Sequence, residues 1–151
     1  MVPESLRQLL SSARIGALAV VDDGQPVVAM AGMVVTDDFR AVLLHLSRLS
    51  AHRQALLKDP ACALLLHEPD DGRPQPLMLG RVSLQGTAAV VERSDPSYEA
   101  AAAQYLARLP ASRMMFSLGD FDLLRVQIRS IRYVAGFGQA HSFFPDELSL
   151  A

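Results

Sequence analysis

Between Leu43 and Glu68 the chain reads LLHLSRLSAHRQALLKDPACALLLHE. Apolar residues fill both ends. Between them, Ser47, Arg48, Ser50, His52, Arg53 and Gln54 crowd into eight positions. These side chains suit an anion such as a phosphate. The first amides of a helix point at an anion, and the helix dipole favours it. Ser47 and Ser50 can donate hydroxyls. His52 and Arg53 supply positive charge, and a guanidinium can grip two phosphate oxygens at once. The plainer reading is a solvated helix start with Ser50 as its N-cap.

Other reactive side chains are scattered. His45 lies on an apolar stretch and reads either as a core histidine or as a ligand contact. His67 precedes a polar loop and reads as surface. His141 follows Gly136-Phe137-Gly138, whose glycines allow a close-approaching backbone. Imidazole is a common heme ligand, so His141 is a candidate against the alternative of an exposed terminal histidine. Four histidines and one cysteine show no spacing for a metal site. There is no nucleophile elbow, P-loop or dinucleotide fingerprint, and no catalytic residue is assigned.

Composition narrows the class. Half of the 151 residues are hydrophobic and a fifth are charged, an ordinary globular balance for a single domain over 1–151. The net charge of −2 argues against a general nucleic-acid binder. The longest apolar run, Val27 to Val35, is too short for a bilayer, which takes about 20 residues. The start of the chain has no signal-peptide pattern. Cys62 is the only cysteine, so no internal disulfide is possible and a cytoplasmic location is expected. It reads as a small buried hydrophobe.

Several elements must position these groups. VPESLRQLLSSAR reads as a helix with Pro3 in its first turn and Leu6, Leu9 and Leu10 on one face. Ile15–Asp22 and Pro26–Val35 read as a hairpin around the Asp22–Gln25 turn. A third strand covers 41–48. A helix of about two turns starts at Ser50 and stops at Asp59-Pro60. Strands follow over 61–68 and Leu77–Glu92, with Gly80 and Gly86 as expected bends or bulges. An alanine-rich helix ends at Pro110, Met114, Met115 and Phe116 read as core or dimer packing, and one or two closing strands follow from Phe121. Tight turns argue for antiparallel pairing. The expected fold is mainly β with helices (α+β), a six-stranded antiparallel barrel.

Three segments resemble the FMN-binding split-barrel family, the pyridoxamine 5′-phosphate oxidase-like proteins, over about Ser5 to Phe143. They are ARIGALAVVDDGQPVVAMAGMVV, LSRLSAHRQALLKDPACALLL, and GDFDLLRVQIRSIRYVAGFGQAH. The last looks most like the heme-utilisation branch. The resemblance implies a split barrel and a homodimer with FMN at the subunit interface. It places the flavin phosphate at Ser47, Ser50, His52 and Arg53. His45, Leu46 and Ser47 would line the isoalloxazine, with backbone groups of Met30, Ala31 and Gly32 across from them. Arg81 or Gln85 would reach the flavin from the other side. The best-known members carry an Arg-Lys pair where this chain has Ala51 and His52. They also have a C-terminal extension over a pyridoxal substrate that is not found here, so vitamin B6 oxidation is not expected. The leading expectation is a flavin-dependent oxidoreductase of unassigned substrate. The alternatives are a heme-binding or heme-degrading protein, with His141 as the ligand, and a cofactor-free dimer.

Overall fold

The computed structural model describes residues 1–149. Helix α1 (Glu4–Ser12) follows Pro3 and buries Leu6 and Leu10. Strands β1 (Ile15–Asp22) and β2 (Gln25–Gly32) form a hairpin whose turn residues, Asp23 and Gly24, take φ of 49° and 78°. Positive φ at both positions is what this tight hairpin turn demands, and Asp-Gly supplies it at low steric cost. Strand β3 (Val34–Val35) is short. Strand β4 (Ala41–Ser47), α2 (Ala51–Lys58) and β5 (Ala61–His67) follow. A 3-10 turn over Pro76–Met78 leads into β6 (Arg81–Val90), then α3 (Tyr98–Arg108), α4 (Arg113–Ser117) and β7 (Phe121–Val134). Strand β8 (Ala140–Phe143) and α5 (Pro145–Ser149) end the described chain.

Every ladder is antiparallel, in the order β2-β1-β5-β6-β7-β4-β3, with β8 added to β7. The two ends of this order, β2 and β3, are separated along the chain only by Met33. One residue spans roughly 3.5 Å, so the sheet must curl until its ends meet. No ladder joins β2 to β3 among the described residues, which leaves a seam. The result is a split barrel. Its six strands of seven residues or more are the expected six, and β3 and β8 are short additions.

Two expected strands are cut back. The Pro26–Val35 run breaks at Met33, whose amide bonds the Arg14 carbonyl at 3.0 Å instead of a neighbouring strand. The Leu77–Glu92 strand starts only at Arg81, because Pro76 opens a 3-10 turn closed by the Leu79 amide.

Inward side chains alternate along each strand, as a half-buried sheet requires. Leu18, Val20, Leu64, Leu66, Val82 and Leu84 fill the barrel. Each fully buried leucine is worth about 2 kcal/mol by area. The β6–β7 register shifts between Gln85 and Gly86, which leaves Arg129 extra on β7. Inward residues on β7 therefore switch from Leu124, Val126 and Ile128 to Ile131 and Tyr133. Gly86 is required there, since a Cβ would run into the Gln127 carbonyl. A second cluster lies outside the barrel, where Ala101 and Tyr105 of α3 cover Val34, Leu43, Val91 and Leu123. At one end of the barrel Leu148 of α5 is buried in the main core. Arg7 bonds its carbonyl, and Arg40 pairs with Asp146 at 2.7 Å.

Candidate functional site

The junction between β4 and α2 forms where expected. Ser50 is the N-cap: its hydroxyl accepts the Arg53 amide at 3.3 Å and donates to the Ser47 carbonyl at 2.9 Å. Ser47 Oγ accepts the Leu49 amide. The Ser50 hydroxyl is thus spent locally, whereas the Ser47 hydroxyl keeps its proton to donate. Arg53 donates through Nε (2.8 Å) and Nη2 (2.6 Å) to Asp122 Oδ2, and Arg48 Nε donates to Oδ1 at 3.0 Å. Asp122, only 6% exposed, enters from the start of β7, opposite Leu46. A buried carboxylate needs such partners. The cluster read as an anion cradle does hold an anion, and that anion is the protein's own Asp122.

His45 belongs to an aromatic nest. Its ring stacks on Phe116 at 3.7 Å between centroids and 7° between planes, with Phe121 at 5.2 Å and Tyr105 at 5.8 Å. Burial, and then the charge of Arg93, push its pKa down to about 4, against a smaller opposing pull from Asp122. The imidazole is therefore neutral at pH 7, with one face covered by Phe116. Tyr105 also stands over the end of β2, where a Cβ on Gly32 would come within 3.1 Å of its hydroxyl. Helix α3 thereby ties the ends of β2 and β4 together. Ala31 and Leu46 turn into the barrel core and have only backbone to offer a ligand. Met30 is 77% exposed on the opposite face.

That face is the outer surface of the sheet. Cross-strand rows run Met30–Ala17–Leu65–Ser83–Arg132 and Val28–Ala19–Ala63–Gln85–Ser130. They are apolar over β2, β1 and β5 and polar over β6 and β7. Met30 helps to line a groove of about 520 Å³ with Leu9, Ala13, Arg14, Ile15, Leu65 and His67. His67 pairs across the ladder with Arg81, whose guanidinium donates to the carbonyls of Leu77 (2.7 Å) and Leu79 (3.3 Å). Gln85 lies apart, in a separate hollow with Cys62, Arg129 and Ser130. Cys62 is half-buried, and burial pushes its thiol up to about 11, which disfavours the thiolate.

The structure thus divides the expected site residues among the Asp122 junction, the core and the outer face. His52 sits half-buried on α2. His141, exposed on β8, pairs with Tyr133, which fills the barrel. Strand alternation sets it on the opposite face from Arg81. Met114 and Met115 are exposed on α4, whereas Phe116 covers His45. Among the described residues there is no acidic, cysteine and histidine group able to hold a metal ion, and no helix is long and apolar enough to cross a membrane. Local reading missed Asp122. Its signal is a lone acid inside the apolar stretch FDLLRV, but only the β4–β7 pairing shows what it meets.

The curled antiparallel sheet with its seam, helices outside, and a capped helix start beside β4 defines a split-barrel protein. The pyridoxamine 5′-phosphate oxidase family model matches residues 2–135, and the chain belongs to that family. Among similar proteins, the chloroplastic heme oxygenase HOZ of Arabidopsis thaliana is 29% identical over 141 residues, covering 91% of this chain and 41% of that protein. Heme oxygenase HutZ of Vibrio cholerae is 29% identical over 133 residues, covering 87% of this chain and 74% of that one. The solved structure of a heme binding protein from Mycobacterium smegmatis shares the fold with a TM-score of 0.87 at 24% identity. It covers 100% of this chain and 62% of its own. The chain spans well under half the length of the Arabidopsis relative.

Proposed function

We propose that this chain binds heme, and that heme binding or breakdown is its role rather than flavin redox chemistry. The observation that carries this reading is the Asp122 clamp. Arg53 at the expected phosphate site, and Arg48 beside it, already hold a carboxylate, so a flavin phosphate would have to share them with Asp122 or displace it. The two relatives named heme oxygenase support the same direction. The groove on the outer face fits the group. Its apolar walls suit a flat macrocycle, and Arg14 lines it as a counter-charge for a carboxylate. Bound heme would supply the oxygen chemistry of its iron. The protein's part is to seat the ring, keep water off its apolar face and hold its carboxylates.

A homodimer accompanies this reading. Val28 (69% exposed), Met30 and Ile15 leave an apolar face on β2 and β1 that a second copy would cover, placing the groove at the subunit boundary. FMN binding is the second reading. The capped helix start favours it, and it requires a phosphate to share the Arg48 and Arg53 guanidiniums with Asp122 or to displace it.

The test is to titrate the purified protein separately with hemin and with FMN and pass each mixture through gel filtration. A Soret band that elutes with the protein, with no retained flavin, is the expected result. Flavin retained in place of heme overturns the reading, and retention of neither leaves a cofactor-free dimer.

A further inference from the structure

We propose that His67 ligates the heme iron through Nε2 from the wall of the outer groove, an assignment that rests on the heme reading above. His67 Nδ1 lies 2.6 Å from the Glu68 carbonyl oxygen. A carbonyl only accepts, so Nδ1 carries the proton. A neutral imidazole has one N–H, and Nε2 therefore keeps its lone pair free. A hydrogen bond on the far nitrogen is how proteins fix the tautomer and aim of metal-binding histidines.

The orienting residue is itself held at two points. The Glu68 amide donates to the Gly80 carbonyl at 2.8 Å, and its Oε2 accepts the Gly80 amide at 2.8 Å. A side chain on Gly80 would press on this carboxylate, with a Cβ only 3.2 Å from it. The Glu68 carbonyl is thus a fixed anchor, and it holds the imidazole bonded to it in one orientation at the groove wall.

What His67 borders matches the ligand. The groove of about 520 Å³ is walled by Leu9, Ala13, Ile15, Met30 and Leu65. Arg14 lines it, and Arg81 is the cross-strand partner of His67. An apolar slot lined by one imidazole and one guanidinium fits an apolar ring that carries iron at its centre and carboxylates on one side. His141 does not share this slot. It pairs with Tyr133, whereas Arg81 pairs with the next residue, Val134, so the two lie on opposite faces of the sheet.

The experiment is a hemin titration of the full chain read by Soret position and by electron paramagnetic resonance of the ferric state. Wild type, His67→Ala, His67→Gln and His141→Ala are compared. Both His67 variants are expected to weaken hemin binding by about tenfold or more, in line with the cost of disturbing a metal–histidine unit. They lose the imidazole-ligated spectrum, and free imidazole restores it in His67→Ala. His141→Ala keeps the wild-type spectrum. Matching thermal melts show that the variants fold, as an exposed site leads one to expect. If hemin binds and the His67 variants keep the wild-type spectrum, the assignment is overturned while the heme reading stands. Loss of the spectrum in His141→Ala alone has the same meaning. If wild type takes up no hemin, both fall together.

Discussion

At the head of α2, Arg48 and Arg53 close on Asp122, which β7 delivers from far along the chain. On the outer face of the sheet, Arg81 rests on two carbonyls, and His67, its cross-strand partner, lines a groove. Both regions gather cationic donors near a strand end. In the first, a carboxylate at 6% exposure engages them, and the charge works as a tie between β4, α2 and β7. In the second, only neutral carbonyls are engaged, so the charge stays available to an incoming anion. A polar cluster in a sequence is therefore a poor guide to a binding site until its internal partners are known.

The largest effect should come from cutting the tie. Asp122→Ala leaves Arg53 mostly buried and unpaired, and breaking such a pair costs about 3 kcal/mol or more. Urea unfolding at pH 7 measures it, and a loss below about 1 kcal/mol would mean that water already serves the two arginines. Asp122→Asn sharpens the contrast, because it frees the cradle and should let FMN or inorganic phosphate raise the melting temperature where wild type does not respond.

A smaller effect is expected at His45. Its pKa is about 4 in the folded protein against an ordinary 6.5, so the unfolded chain takes up the proton first. Its stabilising contribution is complete above about pH 6.5 and is lost as pH falls toward 4. Discounted for its partial contact with water, this amounts to on the order of 1–2 kcal/mol. His45→Phe, which keeps the stack on Phe116, should flatten stability between those pH values. An unchanged slope would show that other groups dominate.

The smallest effect on stability should follow Val28→Glu on the outer face, within about 0.5 kcal/mol as for most surface changes. Light scattering after gel filtration should nonetheless show a monomer where wild type is a dimer. A wild-type monomer would remove the dimer from the functional reading and leave the groove open on one side.

Local chemistry was legible in the residues. Asp23-Gly24 marks its hairpin, Ser50 its cap, Asp59-Pro60 its helix stop and Gly86 its bulge, because each acts over a few neighbouring residues. Met33 was not legible as a break, since its apolar neighbours continue without pause and only barrel closure forces the turn. Leu46 was expected to line a flavin ring, yet strand alternation turns its side chain into the core, as it does that of Ala31, which was expected to offer only backbone. Asp122 stayed hidden because it acquires its role from elements distant in sequence, β4 and α2.

The order of strands also bears on how the chain comes off the ribosome. Strand β4 is buried on both faces, with Val42, Leu44 and Leu46 in the barrel and Leu43 under α3. Its longer ladder partner is β7, which begins only at Phe121. At roughly 5–20 residues per second, β4 waits several seconds after it is made before that partner exists. During this interval only the two-residue β3 can pair with Val-Leu-Leu-His-Leu, a segment of high β-propensity, and the nearby Arg48, Arg53 and Lys58 are charges of the kind that disfavour pairing between chains.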